Sequence, residues 1–91
     1  MQLGRVVGNV VATRKDERLV GFKLMIVQPL GADKELNGTP LIAVDTVSAG
    51  IGELVLFVVG TVAPYAVRVA DAPVDAAIVA IVDTVEYKGG K

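Results

Sequence analysis

The sequence predicts a small, mostly β fold: a five-stranded, mainly antiparallel barrel with one short helix, and three observations carry that expectation. Valine-rich stretches of strand length recur along the chain, punctuated by Gly, Pro and Asn-Gly. Only one short segment between them has helical promise, so the strand–helix alternation of a parallel α/β sheet is missing. The third observation is one of size: 91 residues make a single domain, and a chain this short buries only about 60–65% of its unfolded surface. Yet 53% of the residues are apolar and 21% are charged. That is more apolar surface than one small core hides, and an oligomer whose subunits cover it is the expected remedy.

The elements follow in order. Residues 2–13 are Val-rich and broken by Gly4 and Gly8, which reads as a strand with bends or a bulge. Arg14, Lys15, Asp16, Glu17 and Arg18 then form a mixed-sign turn, the composition of a solvated loop tip. Residues 19–27 make a second strand, with Phe22, Leu24 and Ile26 on one face and Lys23, Met25 and Val27 on the other. Pro29 is expected to end it, and the polar excursion 31–38 closes on Asn37-Gly38, a strong turn signal. Residues 41–45 are a short third strand. Residues 53–59 are the fourth, apolar on both faces as a buried or interface strand would be. Gly60 stops it. Residues 61–68 form a short helix with Thr61 as its cap and Pro64 in its first turn. Residues 70–75 turn the chain, and the fifth strand runs from 76 to 83 and on to Tyr87. Residues 1–87 are thus one barrel domain and 88–91 a loose tail.

The stretch between the third and fourth strands, Asp45-Thr46-Val47-Ser48-Ala49-Gly50-Ile51-Gly52-Glu53, is the one that the others serve. Its paired glycines and small neighbours suit a sharp turn or a close approach of another backbone. A phosphate cradle is excluded, because position 55 is Val instead of a third glycine and no Lys-Ser/Thr follows. Two readings stay open: a tight turn joining two strands, or a loop packed against copies of itself.

Composition also narrows the function. With no His and no Cys, the common general base, the soft nucleophile and most transition-metal ligands are missing. Ser48, five Thr and ten carboxylates remain, with no spacing that gathers them, so neither an enzyme nor a metal or organic cofactor is expected. An enzyme would need a cleft built from Asp45, Glu53, Asp75 or Asp83. The net charge of −1, two Phe, two Tyr and no Trp give nucleic acid little to bind. The longest charge-free run, residues 54–67, spans 14 residues and contains Gly60 and Pro64, short of the roughly 20 needed to cross a bilayer as a helix. No basic-then-apolar signal opens the chain, and a cytosolic protein is the expectation. A small barrel that binds a small ligand or an oligonucleotide is the alternative to a structural role.

Four segments carry a more specific resemblance: Leu3-Gly4-Arg5-Val6-Val7-Gly8 with Val11-Ala12-Thr13-Arg14-Lys15; Lys23-Leu24-Met25-Ile26-Val27-Gln28-Pro29; the loop from Asp45 to Glu53; and the run from Pro73 to Asp83. In order and spacing, from Met1 to about Asp83, they resemble the ethanolamine-utilisation/carboxysome vertex proteins of bacterial microcompartments. The resemblance implies a five-stranded barrel with a small helix, a cyclic homopentamer, and a place in the bacterial cytoplasm at the vertices of a polyhedral shell. That shell is otherwise tiled by hexameric shell proteins around encapsulated enzymes. It leads us to expect Ser48, Ala49 and Gly50 around the fivefold axis, at the rim of a narrow opening, and Arg14, Lys15, Asp16, Glu17 and Arg18 at the contacts with the surrounding shell. The chain departs from the family pattern after Gly60, where Thr61-Val62-Ala63-Pro64 replaces the usual Ser-Ser-Ala-Arg, and at Ser48, where Gly is frequent.

Overall fold

Five strands close on themselves in the spatial order β1-β2-β3-β5-β4, in a computed structural model that describes residues 1–13, 15–68 and 73–89. The strands are β1 (Gln2–Val10), β2 (Lys23–Leu30), β3 (Leu41–Asp45), β4 (Leu54–Val59) and β5 (Ala76–Ile81), with the helix α1 (Ala63–Val67) between β4 and β5. Four of the five joins are antiparallel, and β3 with β5 is parallel. That mixed barrel agrees with the expected class. No helix among the described residues is long and apolar enough to cross a membrane.

The strands divide the apolar residues between two cores. Val6, Met25, Val27, Ala43, Ala49, Val55, Phe57, Ala76 and Ile78 fill the barrel. The alternate residues Val44 and Ala77 point outward and meet Ala63 and Val67 of α1 and Val74, with Leu19, Phe22, Leu24 and Val58 packed around them. This second layer explains why β2 and β4 are apolar on both faces. One face lines the barrel, and the other is roofed by the helix and by the turn after β1.

The two glycines of β1 have different causes. Gly8 follows the register shift between Val6 and Gly8 against β2, the bulge that the sequence suggests. A Cβ on Gly4 would lie 2.5 Å from Val27 Cγ1 and 2.8 Å from Phe57 Cε1, so this glycine makes room inside the barrel.

Several boundaries differ from the sequence expectation. β1 ends at Val10 and not at residue 13, and β2 begins at Lys23, because Leu19 belongs to a 3-10 turn, Glu17–Leu19. β2 also runs through Pro29 to Leu30. The Pro29 carbonyl accepts the Asn37 N–H, so its nitrogen faces the same excursion loop, away from the β1 ladder, where a missing N–H breaks nothing. Thr61 is not the cap of α1: it lies in a 3-10 turn, Gly60–Val62, the residue before the helix is Val62 and no side chain caps it. Pro64 stands in the first turn of α1, where its missing N–H has no intrahelical partner to lose. β5 stops at Ile81 and not at Tyr87. Beyond the Val82 N–H bonded to Leu54 O, the chain pairs with no strand among the described residues. The expected turn at 70–75 and the expected tail at 88–91 lie partly outside the described residues.

Candidate functional site

The loop from β3 to β4 is held from both ends by carboxylates. Asp45 closes β3 with its side chain wholly withdrawn from solvent. Its Oδ1 accepts the Val47 N–H at 3.0 Å and its Oδ2 the Ala49 N–H at 2.8 Å, an aspartate turn that fixes four residues of backbone. Lys23 Nζ stands 4.0 Å from the same Oδ2 on an exposed side chain and contributes little at that distance. At the other end Glu53 Oε1 accepts the Gly50 N–H at 2.6 Å, and the Gly50 carbonyl accepts the Glu53 N–H at 3.1 Å. β1 ties the loop down from the side: Gly52 N–H donates to Val6 O, Val6 N–H to Glu53 O, and Arg5 Nη1 to Gly52 O. Thr46 is anchored to β5 through its hydroxyl, which donates to Ile78 O at 2.8 Å.

Fixed in this way, the loop sorts its small residues. Ser48 is exposed and takes φ +60°, the left-handed region that a short polar side chain tolerates. Ala49 is turned inward and wholly buried in the barrel core, so its methyl serves its own protomer. Gly50 is half-buried. A Cβ built there meets Glu53 Oε1 at an ordinary 3.5 Å, whereas Gly52 has φ +94° and open space around it. The conformational demand for glycine therefore falls on Gly52, and nothing among the described residues requires glycine at 50. Ile51 beside it is exposed.

The charged turn after β1 is organised around Asp16. Asp16 Oδ1 accepts the backbone N–H of Arg18 and its Nε, both at 2.9 Å, and Oδ2 pairs with Nη2 at 2.8 Å. The side chain and then the backbone N–H of Arg18 hold the Asp16 carboxyl down at about 2. Lys15 Nζ donates to Phe22 O, and Glu17 is exposed. Arg14 lies outside the described residues.

Sequence reasoning did not locate the apolar exterior, which is the larger feature. Ile42, Val59, Val62 and Tyr65 are exposed around the start of β3, the end of β4 and α1, and Met1, Leu36 and Tyr87 elsewhere. The two-sided apolar pattern of β4 announced some of it at Val59. The rest depends on which strand faces open, which no single stretch reveals. Among the described residues no three His, Cys, Asp or Glu side chains come together to hold a metal. A barrel filled with apolar side chains and further aliphatic and tyrosine side chains exposed around β3, β4 and α1 fit a subunit that assembles with its own kind.

Comparison with known proteins gives that class its family. The family model described as ethanolamine utilisation protein EutN/carboxysome matches residues 1–83, and the chain belongs to this family. It is 44% identical over 85 residues to the carboxysome shell vertex protein CcmL of Thermosynechococcus vestitus, covering 93% of this chain and 86% of that protein. It is 44% identical over 88 residues to the microcompartment shell vertex protein PduN of Salmonella typhimurium, covering 92% and 97%. The pentameric microcompartment shell protein GrpN of Rhodospirillum rubrum superposes with a TM-score of 0.85 at 43% identity, over 97% of this chain and 100% of that one.

Proposed function

We propose that this chain forms a homopentamer that caps the vertices of a polyhedral microcompartment shell in the bacterial cytoplasm. The observation that carries the reading is the match along nearly the whole chain to vertex proteins, one of them a pentamer of the same fold. The physical reason for five is geometric: a sheet of hexagonal units is flat, and a fivefold unit supplies the curvature that closes it. The apolar exterior of the lone protomer supports assembly, since a surface so apolar is costly in water.

On this reading residues 1–87 are the structural unit, and the contacts with hexameric shell proteins are made by short polar turns at the edge of the ring, Lys15 to Arg18 among them. Ser48 and Gly50 face the fivefold axis while Ala49 anchors their loop in its own barrel. The role is structural, with no reaction assigned to the chain. Electron microscopy of shells made without this protein is the test. Elongated, open or leaky shells are expected, with hexamer layers intact. Normal closed polyhedra in the absence of any pentameric relative would refute the vertex role.

A further inference from the structure

The sequence promises a strand that the lone protomer does not form. Residues 82–88 read Val-Asp-Thr-Val-Glu-Tyr-Lys, with Val85 and Tyr87 alternating with polar Thr84, Glu86 and Lys88, a half-buried strand by pattern and propensity. In the fold, residues 82–89 belong to no strand, and Tyr87 is about half exposed. Among the described residues no hydrogen bond joins 83–89 to the barrel. Such a segment is a strand in want of a partner.

A place for it exists across the barrel. The ladder between β3 and β5 is only two pairs long, Val44 with Ala77 and Asp45 with Ile78, so among the described residues Leu41–Ala43 have no strand partner on the β5 side, though β2 pairs them on the other. Beside that gap runs an apolar groove of about 590 Å³ between Pro40, Ile42, Val59, Asp75 and Ala76. A second groove continues it along Ile42, Ala43 and Val74. The segment after β5 borders a different cleft, whose walls are Val82, Thr84 and Val85 on one part and Leu3, Leu30 and Leu56 on another, on the β4-β1-β2 side. In the closed order β1-β2-β3-β5-β4 that side is opposite the gap. A chain cannot easily lay its own residues 84–88 in its own groove.

We infer that residues 84–88 of one protomer dock in extended form in the β3–β5 groove of the next, with Tyr87 as the anchor between Ile42 and Val59. Two different patches on opposite sides of one subunit are what a head-to-tail ring requires. The segment supplies the backbone groups that the short β3–β5 ladder lacks, and a tyrosine suits a groove that is apolar within and has a carboxylate, Asp75, at its margin. The inference rests on the ring reading above and adds what holds neighbours together.

The chain has no cysteine, so a disulfide can be placed at will. Chains carrying both Ile42→Cys and Tyr87→Cys, oxidised and run without reductant, are expected to give a ladder of linked chains up to five, because docking brings the two Cα atoms within the roughly 7 Å that a disulfide spans. A link within one chain, or no link from a pentamer, overturns the inference. Independently, a chain ending at Asp83 is expected to lose the pentamer at micromolar concentration in native mass spectrometry while keeping its far-ultraviolet circular dichroism. A folded truncated chain that remains pentameric also overturns it; if truncation prevents folding, the disulfide experiment decides. Failure of the full-length chain itself to form a pentamer refutes the ring reading instead.

Discussion

Replacing Asp45 removes the keystone of the central loop. Its carboxylate accepts two backbone N–H groups, from Val47 and Ala49, inside a protomer whose Asp45 side chain sees no solvent. In Asp45→Ala the Ala49 N–H is left buried without a partner, at a cost of about 1–3 kcal/mol, and the half-buried Val47 N–H loses a charge-assisted bond but can turn to water, at about 1 kcal/mol. The sum is about 2–4 kcal/mol. In a domain of this size that lowers the unfolding midpoint by roughly 10–25 °C. Asp45→Asn keeps one acceptor and turns an amide N–H toward the other donor, so it should fall between the parent and Asp45→Ala. Urea unfolding followed by circular dichroism, at one fixed protomer concentration because assembly adds to apparent stability, measures both. If both variants unfold within about 0.5 kcal/mol of the parent, the typical scatter of surface substitutions, the claim that this side chain builds the loop is wrong.

Gly50→Val should leave the protomer fold intact, since a Cβ there meets only Glu53 Oε1 at 3.5 Å, yet weaken the ring by roughly 1–3 kcal/mol per site if the overpacking rule holds at the axis; native mass spectrometry showing undisturbed pentamers would move the loop away from the axis, and Ser48→Ala should assemble normally. Gly52→Val, by contrast, forces a β-branched residue to φ +94° and should cost about 1–3 kcal/mol in folding itself, read by urea unfolding. Gly4→Ala should destabilise by about 1–3 kcal/mol through its clash with Val27 and Phe57, and an unchanged midpoint would contradict the packing described. The Asp16 carboxyl, with its pKa lowered from 3.8 to about 2 by Arg18, favours the fold at pH above its unfolded value and loses that contribution as pH falls through about 2; an NMR titration of this carboxyl at or above 3.8 would show the Arg18 pairing to be absent in solution.

How much the sequence revealed depended on whether a feature was local. The strands came from valine spacing and the excursion from Asn37-Gly38, because both signals lie within a few residues of what they cause. The four quoted segments pointed to the family for the same reason. Pro29 misled because a proline's effect depends on which side its nitrogen faces, and only the loop that returns to Asn37 decides that. Thr61 misled because Gly60–Val62 form a 3-10 turn that moves the helix start past it. Residues Ser48, Ala49 and Gly50 were legible as a loop, but not the inward turn of Ala49, which follows from the Asp45 carboxylate and the core beneath it. The single parallel join between β3 and β5 was not legible at all, since it links residues more than thirty apart with a two-pair ladder.

That join also bears on when a newly made chain can enter a shell. The groove beside it draws Pro40 and Ile42 from one part of the chain and Asp75 and Ala76 from another, and these meet only when β5 closes the barrel against β3. A chain that has formed its β1–β2 hairpin but has not closed the barrel presents no complete seat for a neighbour. On the docking inferred above, folding would act as an inspection step before incorporation, and because a ring needs every seat, one unfinished subunit would stall the whole vertex instead of being built into it.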